Sequence, residues 1–154
     1  MGVNYYFRVM VSAIGQGQPL DTPRTEMGWE IHAESMRKLL VWLHETYAPN
    51  KIVITENGAA MPDQTRIDGR VHDVDRVEYF DGHLRAVLAA MDEGAPVAGY
   101  MAWSLMDNFE WAEGYEKRFG IVEIEPETLR RIPKSSALWF SELAKTGVLP
   151  PLLS

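Results

Sequence analysis

The chain of 154 residues is 46% hydrophobic, carries a formal charge of −7 and contains no cysteine. That composition suits one folded domain with a sizeable core, and without a Lys/Arg cluster it argues against nucleic-acid or anionic-membrane partners, which need concentrated positive charge. The missing cysteines exclude a disulfide framework, a thiolate metal site and a Cys nucleophile, and with no apolar run near the roughly 18 residues of a membrane span and no signal-peptide pattern, a soluble cytoplasmic protein is expected.

Short apolar runs alternate with longer stretches of helical period, the βαβ signature of a parallel sheet. "MGVNYYF" (1–7) predicts a strand, followed by a long Gly-, Pro- and Gln-rich loop from about Ser12 to Gly28. Met36, Leu39, Leu40, Leu43 and Tyr47 recur at helical spacing and predict a helix face that Pro49 stops. Lys51 to Thr55 predicts a second strand, ending on Glu56 and the turn pair Asn57-Gly58. After the polar loop "MPDQTRIDGR", Asp73 is a candidate N-cap for a helix whose apolar stripe is Val77, Phe80, Leu84, Val87, Leu88 and Met91, ended by Gly94 and Pro96. "VAGYMAWSL" (97–105) predicts the third strand. An aromatic loop, an antiparallel ribbon from Gly120 to Ile132 and a helix over Ser136 to Lys145 follow, and residues 147–154 read as an irregular tail beyond one domain spanning 1–146.

Alternate side chains of a strand point to opposite faces, so Glu56 continues the Ile52 and Ile54 face, Asn4 and Tyr6 share one with Gly2, and Trp103 shares one with Gly99 and Met101. Each strand then ends in a polar or aromatic residue at its carboxyl end, where parallel α/β folds place ligands and catalytic groups. For any one of the three alone, a capped or loop-packed residue is the simpler account; three in succession point to a site. Elsewhere, His32, His44, His72 and His83 lack a shared metal-ligand spacing and read as helix-surface or loop residues. "GQGQPL" lacks the third glycine of a dinucleotide loop, no Ser/His/Asp triad can be argued, and the charges between Asp63 and Asp75 read as a solvated loop.

The segment "WSLMDNFEWAEGYEKRFG" (103–120), taken with "NYY", "GWEIH", "ITENG", "HDVDRVEYFDGHL" and "RIPKSSALWF", resembles the C-terminal part of a family 1 glycoside hydrolase of the β-glucosidase type. The resemblance implies a (β/α)8 TIM barrel, represented here by its last three βα units, that cleaves β-linked glycosides with retention and without a cofactor. By residue-to-residue matching, Glu56 resembles the catalytic nucleophile and Tyr6 the tyrosine whose hydroxyl contacts it. Asn4 matches a polar contact at the sugar site, Trp103 a tryptophan under the sugar ring, and Glu110 with Trp111 the pair that binds hydroxyls away from the anomeric carbon. Phe119 matches an aromatic wall, Trp29 the aromatic lining the leaving-group side, and the resemblance implies a cis peptide between Trp103 and Ser104.

Those residue types suit the chemistry. Retaining hydrolysis uses two carboxyl groups about 5 to 5.5 Å apart, one attacking the anomeric carbon and one protonating the leaving oxygen, and a sugar's apolar faces and polar rim complement an indole plane beside a carboxylate. Relatives acting on 6-phosphorylated sugars usually replace the Glu-Trp pair with small residues and supply Ser, Lys and Tyr in the next loop. The equivalents here are Glu110, Trp111, Glu116, Lys117 and Phe119, and the two carboxylates would repel a phosphate, so a non-phosphorylated substrate is expected. A whole barrel needs roughly 250 residues or more. The acid/base Glu of an Asn-Glu-Pro motif has no equivalent, since "IEPE" (124–127) lies in the ribbon. A missing N-terminal barrel segment, on the same or a separate chain, is the expected partner, and the chain alone is expected to be inactive; the alternative is a non-catalytic barrel fragment or sugar-binding scaffold.

Overall fold

The computed structural model describes residues 1–17, 19 and 21–153. In chain order the elements are β1 (Gly2–Asn4), β2 (Met10–Ser12), β3 (Gly15–Gly17), α1 (Ala33–Tyr47), β4 (Ile52–Asn57), β5 (Arg66–Ile67), β6 (Arg70–Val71), α2 (Val74–Asp92), β7 (Val97–Ala102), a 3-10 turn (Trp111–Glu113), β8 (Val122–Ile124), β9 (Arg131–Pro133) and α3 (Ser135–Thr146). Contacts divide the chain into two compact units, Met1–Asn57 with Gly82–Ala102, and Gly58–Asp81 with Trp103–Ser154.

The first unit holds a parallel sheet in the order β1-β4-β7. Its core combines Val3 and Tyr5, Met36 and Leu40 of α1, Ile52 and Ile54 of β4, and Val87 and Ala90 of α2. The helix α1 forms where expected. His32 caps it by accepting from Ser35 N through Nδ1 at 3.1 Å, Met36 and Leu40 bury its apolar face, and Ala48 closes it in the left-handed region, donating to His44 O at 2.9 Å.

Several expectations are corrected. The first strand stops at Asn4, and the β1–β4 register slips just before that residue: Val3 pairs with Ile54 and Asn4 with Glu56, leaving Thr55 as an extra residue. Face alternation therefore cannot be carried through Thr55 to Glu56, although β4 itself runs on to Asn57. Where a loop is expected from about Ser12, β3 pairs antiparallel with β2 just before it, Met10 opposite Gly17. The third strand ends at Ala102, so Trp103 lies outside it. On α2 the buried side is rotated from the expected stripe. Phe80, His83, Val87 and Ala90 are buried while Leu88 and Met91 are exposed, since two small alanines and a histidine pack inward where larger apolar residues were expected to.

In the second unit the ribbon β8–β9 forms as expected, Val122 opposite Pro133, and β5–β6 makes a small hairpin in the polar loop. Phe80 meets Phe140 of α3 edge to face at 5.6 Å, and buried Trp139 donates through Nε1 to Pro151 O at 3.1 Å, tying down the tail. The tail residues 148–153 form neither helix nor strand. The loop read as solvated is corrected most sharply: Asp63, Asp73 and Arg76 are buried, Arg76 pairing with Asp63 at 3.0 Å and with Asp73. Asp73 does stand immediately before α2, but its carboxylate accepts from Ser136 N at 2.9 Å and Ser136 Oγ at 2.5 Å.

Candidate active site

Glu56 stands at the carboxyl end of the central strand β4, just past the extra residue Thr55. The Tyr6 hydroxyl donates to Glu56 Oε2 at 2.8 Å, which brings two of the predicted site residues together. Tyr6 is placed by its neighbour. Tyr5 is buried, donates to His32 O at 2.7 Å and packs its ring on His83; burial pushes its hydroxyl pKa up to about 12, so it stays neutral. Its backbone is tied to β4 twice, by Tyr5 N donating to Glu56 O at 2.9 Å and by Asn57 Nδ2 donating to Tyr5 O at 2.7 Å. Tyr100 of β7 donates in turn to Asn57 Oδ1 at 2.5 Å. All three parallel strands thus converge on the backbone around Glu56.

Trp29 joins the same neighbourhood, stacked on Phe7 with ring centres 5.1 Å apart and edge-on to Tyr6 at 5.5 Å. The fork from Arg8 to the fully buried Glu30, at 2.8 and 3.0 Å, fastens the segment after Phe7 to the segment after Trp29. The Arg8 hydrogen bond holds Glu30 below the usual carboxylate range, against its burial. Asn4 is exposed, and its Oδ1 accepts from Thr55 Oγ1 at 2.6 Å.

The other predicted contacts lie in the second unit. The Trp103–Ser104 peptide is cis, as the resemblance implied. Gly58 packs directly under it, where a side-chain Cβ would fall 1.6 Å from Trp103 O, so only glycine fits. Ser104 N donates to Phe119 O at 3.1 Å and Ile121 N to Ser104 O at 2.9 Å, securing the residue after the tryptophan. In the loop beyond, Glu110 retains 9% exposure while Trp111 is 83% exposed with a positive φ of 45°. Phe119, expected as an aromatic wall, is fully buried in this chain. A cavity of about 310 Å³ lined by Asn108, Tyr115, Arg118 and Leu129 among others includes none of the predicted sugar contacts.

The family model for "Glycosyl hydrolase family 1" matches residues 8–148. The chain belongs to glycosyl hydrolase family 1. Beta-glucosidase A of Thermotoga maritima is 49% identical over 129 residues, covering 84% of this chain and 29% of that protein. A bifunctional beta-D-glucosidase/beta-D-fucosidase of Bifidobacterium breve is 48% identical over 79% of this chain and 27% of its own length. The structure of a family 1 β-glucosidase from Thermotoga maritima superposes with a TM-score of 0.90 at 45% identity, over 97% of this chain and 35% of that one. This family 1 chain therefore spans about a third of the length of the relatives it matches, a part of their barrel.

Several supporting residues of the site were missed in the sequence. In the sequence Asn57 signals only a turn, and Tyr100 and the Arg8–Glu30 fork carry no signal, because their partners lie 22 to 52 residues away. His83, expected as a helix-surface or loop residue, is instead fully buried against Tyr5. Among the described residues no His/Asp/Glu group is arranged to hold a metal, and no helix is long and apolar enough to cross a membrane.

Proposed function

We propose that this chain supplies the last three βα units and the nucleophile of a retaining β-glycosidase acting on non-phosphorylated glycosides. The observation that carries the reading is the Tyr6–Glu56 hydrogen bond of 2.8 Å at the carboxyl end of a parallel strand. It fixes the carboxylate's rotamer. A Glu56 oxygen attacks the anomeric carbon as the bond to the leaving oxygen breaks, and that oxygen takes its proton from an acid carboxyl carried by the missing segment. Water then attacks the glycosyl ester, gives its proton to the same carboxyl and frees Glu56. Trp103 would lie under the sugar ring, and Glu110 with Trp111 would bind hydroxyls remote from the bond that breaks. Trp29 would face the leaving group.

The test uses the enzyme assembled from this chain and the missing units. Glu56→Gly should abolish most turnover of an aryl β-glucoside, and azide should restore cleavage, giving the glycosyl azide of inverted configuration because a small anion replaces the lost carboxylate. Wild-type activity in Glu56→Gly would refute the assignment. Normal binding of a glycoside with no turnover in any assembly would instead favour a sugar-binding scaffold.

A further inference from the structure

The buried ion cluster of the second unit is not accounted for by the chemistry above. Lys134, just before α3, is fully buried and donates to Asp63 and, at 2.9 Å, to Asp107 Oδ1. Arg76 is equally buried, pairs with Asp63 and Asp73, and donates to Arg118 O at 2.8 Å. Asp107 and Arg118 are the two feet of the loop that carries Glu110 and Trp111. Asp107 Oδ1 also accepts from Gly120 N at 3.0 Å, and Asp107 N donates to Val122 O at 3.0 Å. Gly120 leaves no slack, since a Cβ there would sit 2.1 Å from Asp107 N. Between the feet the loop is closed on itself, Glu110 N donating to Gly114 O at 2.7 Å and Glu113 N to Glu110 O at 2.8 Å.

Burying two cations and three carboxylates is a poor way to gain stability, because desolvation offsets most of the attraction and apolar residues of equal volume often do as well. What such a cluster provides is a single geometry, fixed by directional bonds. We infer that Lys134, with Arg76 and their shared partner Asp63, is a positioning residue that holds the 107–120 loop so that Glu110 meets the glycone at one fixed place. The inference rests on the proposed role of Glu110. Specificity for the remote hydroxyls of the sugar then depends on a lysine that never touches it.

The experiment compares kcat/KM for an aryl β-glucoside with that for its 4-deoxy and 6-deoxy analogues, in the assembled enzyme and in Lys134→Met, Asp107→Asn, Glu110→Gln and the double variant Lys134→Met with Glu110→Gln. Loss of folded protein lowers all substrates alike and leaves the ratio untouched, so the ratio reports position. Lys134→Met should shrink the glucoside preference about tenfold, in line with the cost of a small misplacement, and should add little once Glu110 is Gln. Should Lys134→Met not accumulate, Asp107→Asn, which keeps an oxygen for Gly120 N, carries the test with a smaller shift in the same direction. An unchanged ratio in the lysine or aspartate variant, with Glu110→Gln reducing it, overturns the positioning role. An unchanged ratio in Glu110→Gln overturns the glycone contact itself.

Discussion

Tyr6 and Glu56 make the contact on which the proposed chemistry turns, and removing only the hydroxyl is the cleanest probe of it. A hydrogen bond to a charged group contributes about 1.5–3 kcal/mol, so Tyr6→Phe in the assembled enzyme should lower kcat/KM by roughly 10- to 100-fold while leaving the unfolding midpoint close to wild type, because Tyr6 is only half-buried. Steady-state kinetics with an aryl glucoside checks it, and an unaffected rate would remove Tyr6 from the site. Glu30 yields a pH prediction. Its folded pKa is lowered, chiefly by the Arg8 hydrogen bond, so its contribution to stability is present above the unfolded carboxylate value of about 4.3 and is lost as pH falls through the folded one. Thermal unfolding between pH 7 and pH 3 should therefore show a steeper acid loss for wild type than for Glu30→Gln, and parallel curves would contradict the linkage.

At the scale of elements, glycines at two close approaches hold loops against their neighbours. Gly58→Ala would drive a methyl carbon into the Trp103 carbonyl, which should cost at least the ~1–3 kcal/mol typical of overpacking, seen as a lowered denaturation midpoint or as insoluble protein; a midpoint matching wild type would mean that the backbone at Trp103 yields. Such contacts explain what the sequence could and could not disclose. The helices α1 and α3 are legible from apolar period and end signals, and the three parallel strands from their short apolar runs, β-branched only over 51–55. The bulge at Thr55 was not, because it depends on pairing with β1, nor was the rotated face of α2, which follows from what packs against His83 and Val87. The charges at Asp63, Asp73 and Arg76 look solvated in a list of residues. They are buried because Lys134 and Ser136, some 60 to 70 positions later, fold onto them.

For the whole molecule, the chain covers about a third of its relatives' length, and among the described residues β1 and β7 form the two edges of the parallel sheet. Met101 on β7 is 57% exposed, although parallel sheets are ordinarily covered on both faces. On the proposed reading, the missing units cover these surfaces and bring the acid/base carboxyl. Residues 1–154 expressed alone should show no sustained release of nitrophenol from an aryl β-glucoside, and activity should arise on mixing with the complementary segment. Multiple turnovers by the short chain would contradict the incomplete site. The most direct measurement of the central claim is covalent: the assembled enzyme is incubated with an activated 2-deoxy-2-fluoro-β-glucoside, which slows release of the glycosyl ester, and then digested and mapped by mass spectrometry. One fluoroglycosyl group, located on Glu56, is expected; a label on another carboxylate, or full inactivation without a label on the Glu56 peptide, would refute the nucleophile assignment.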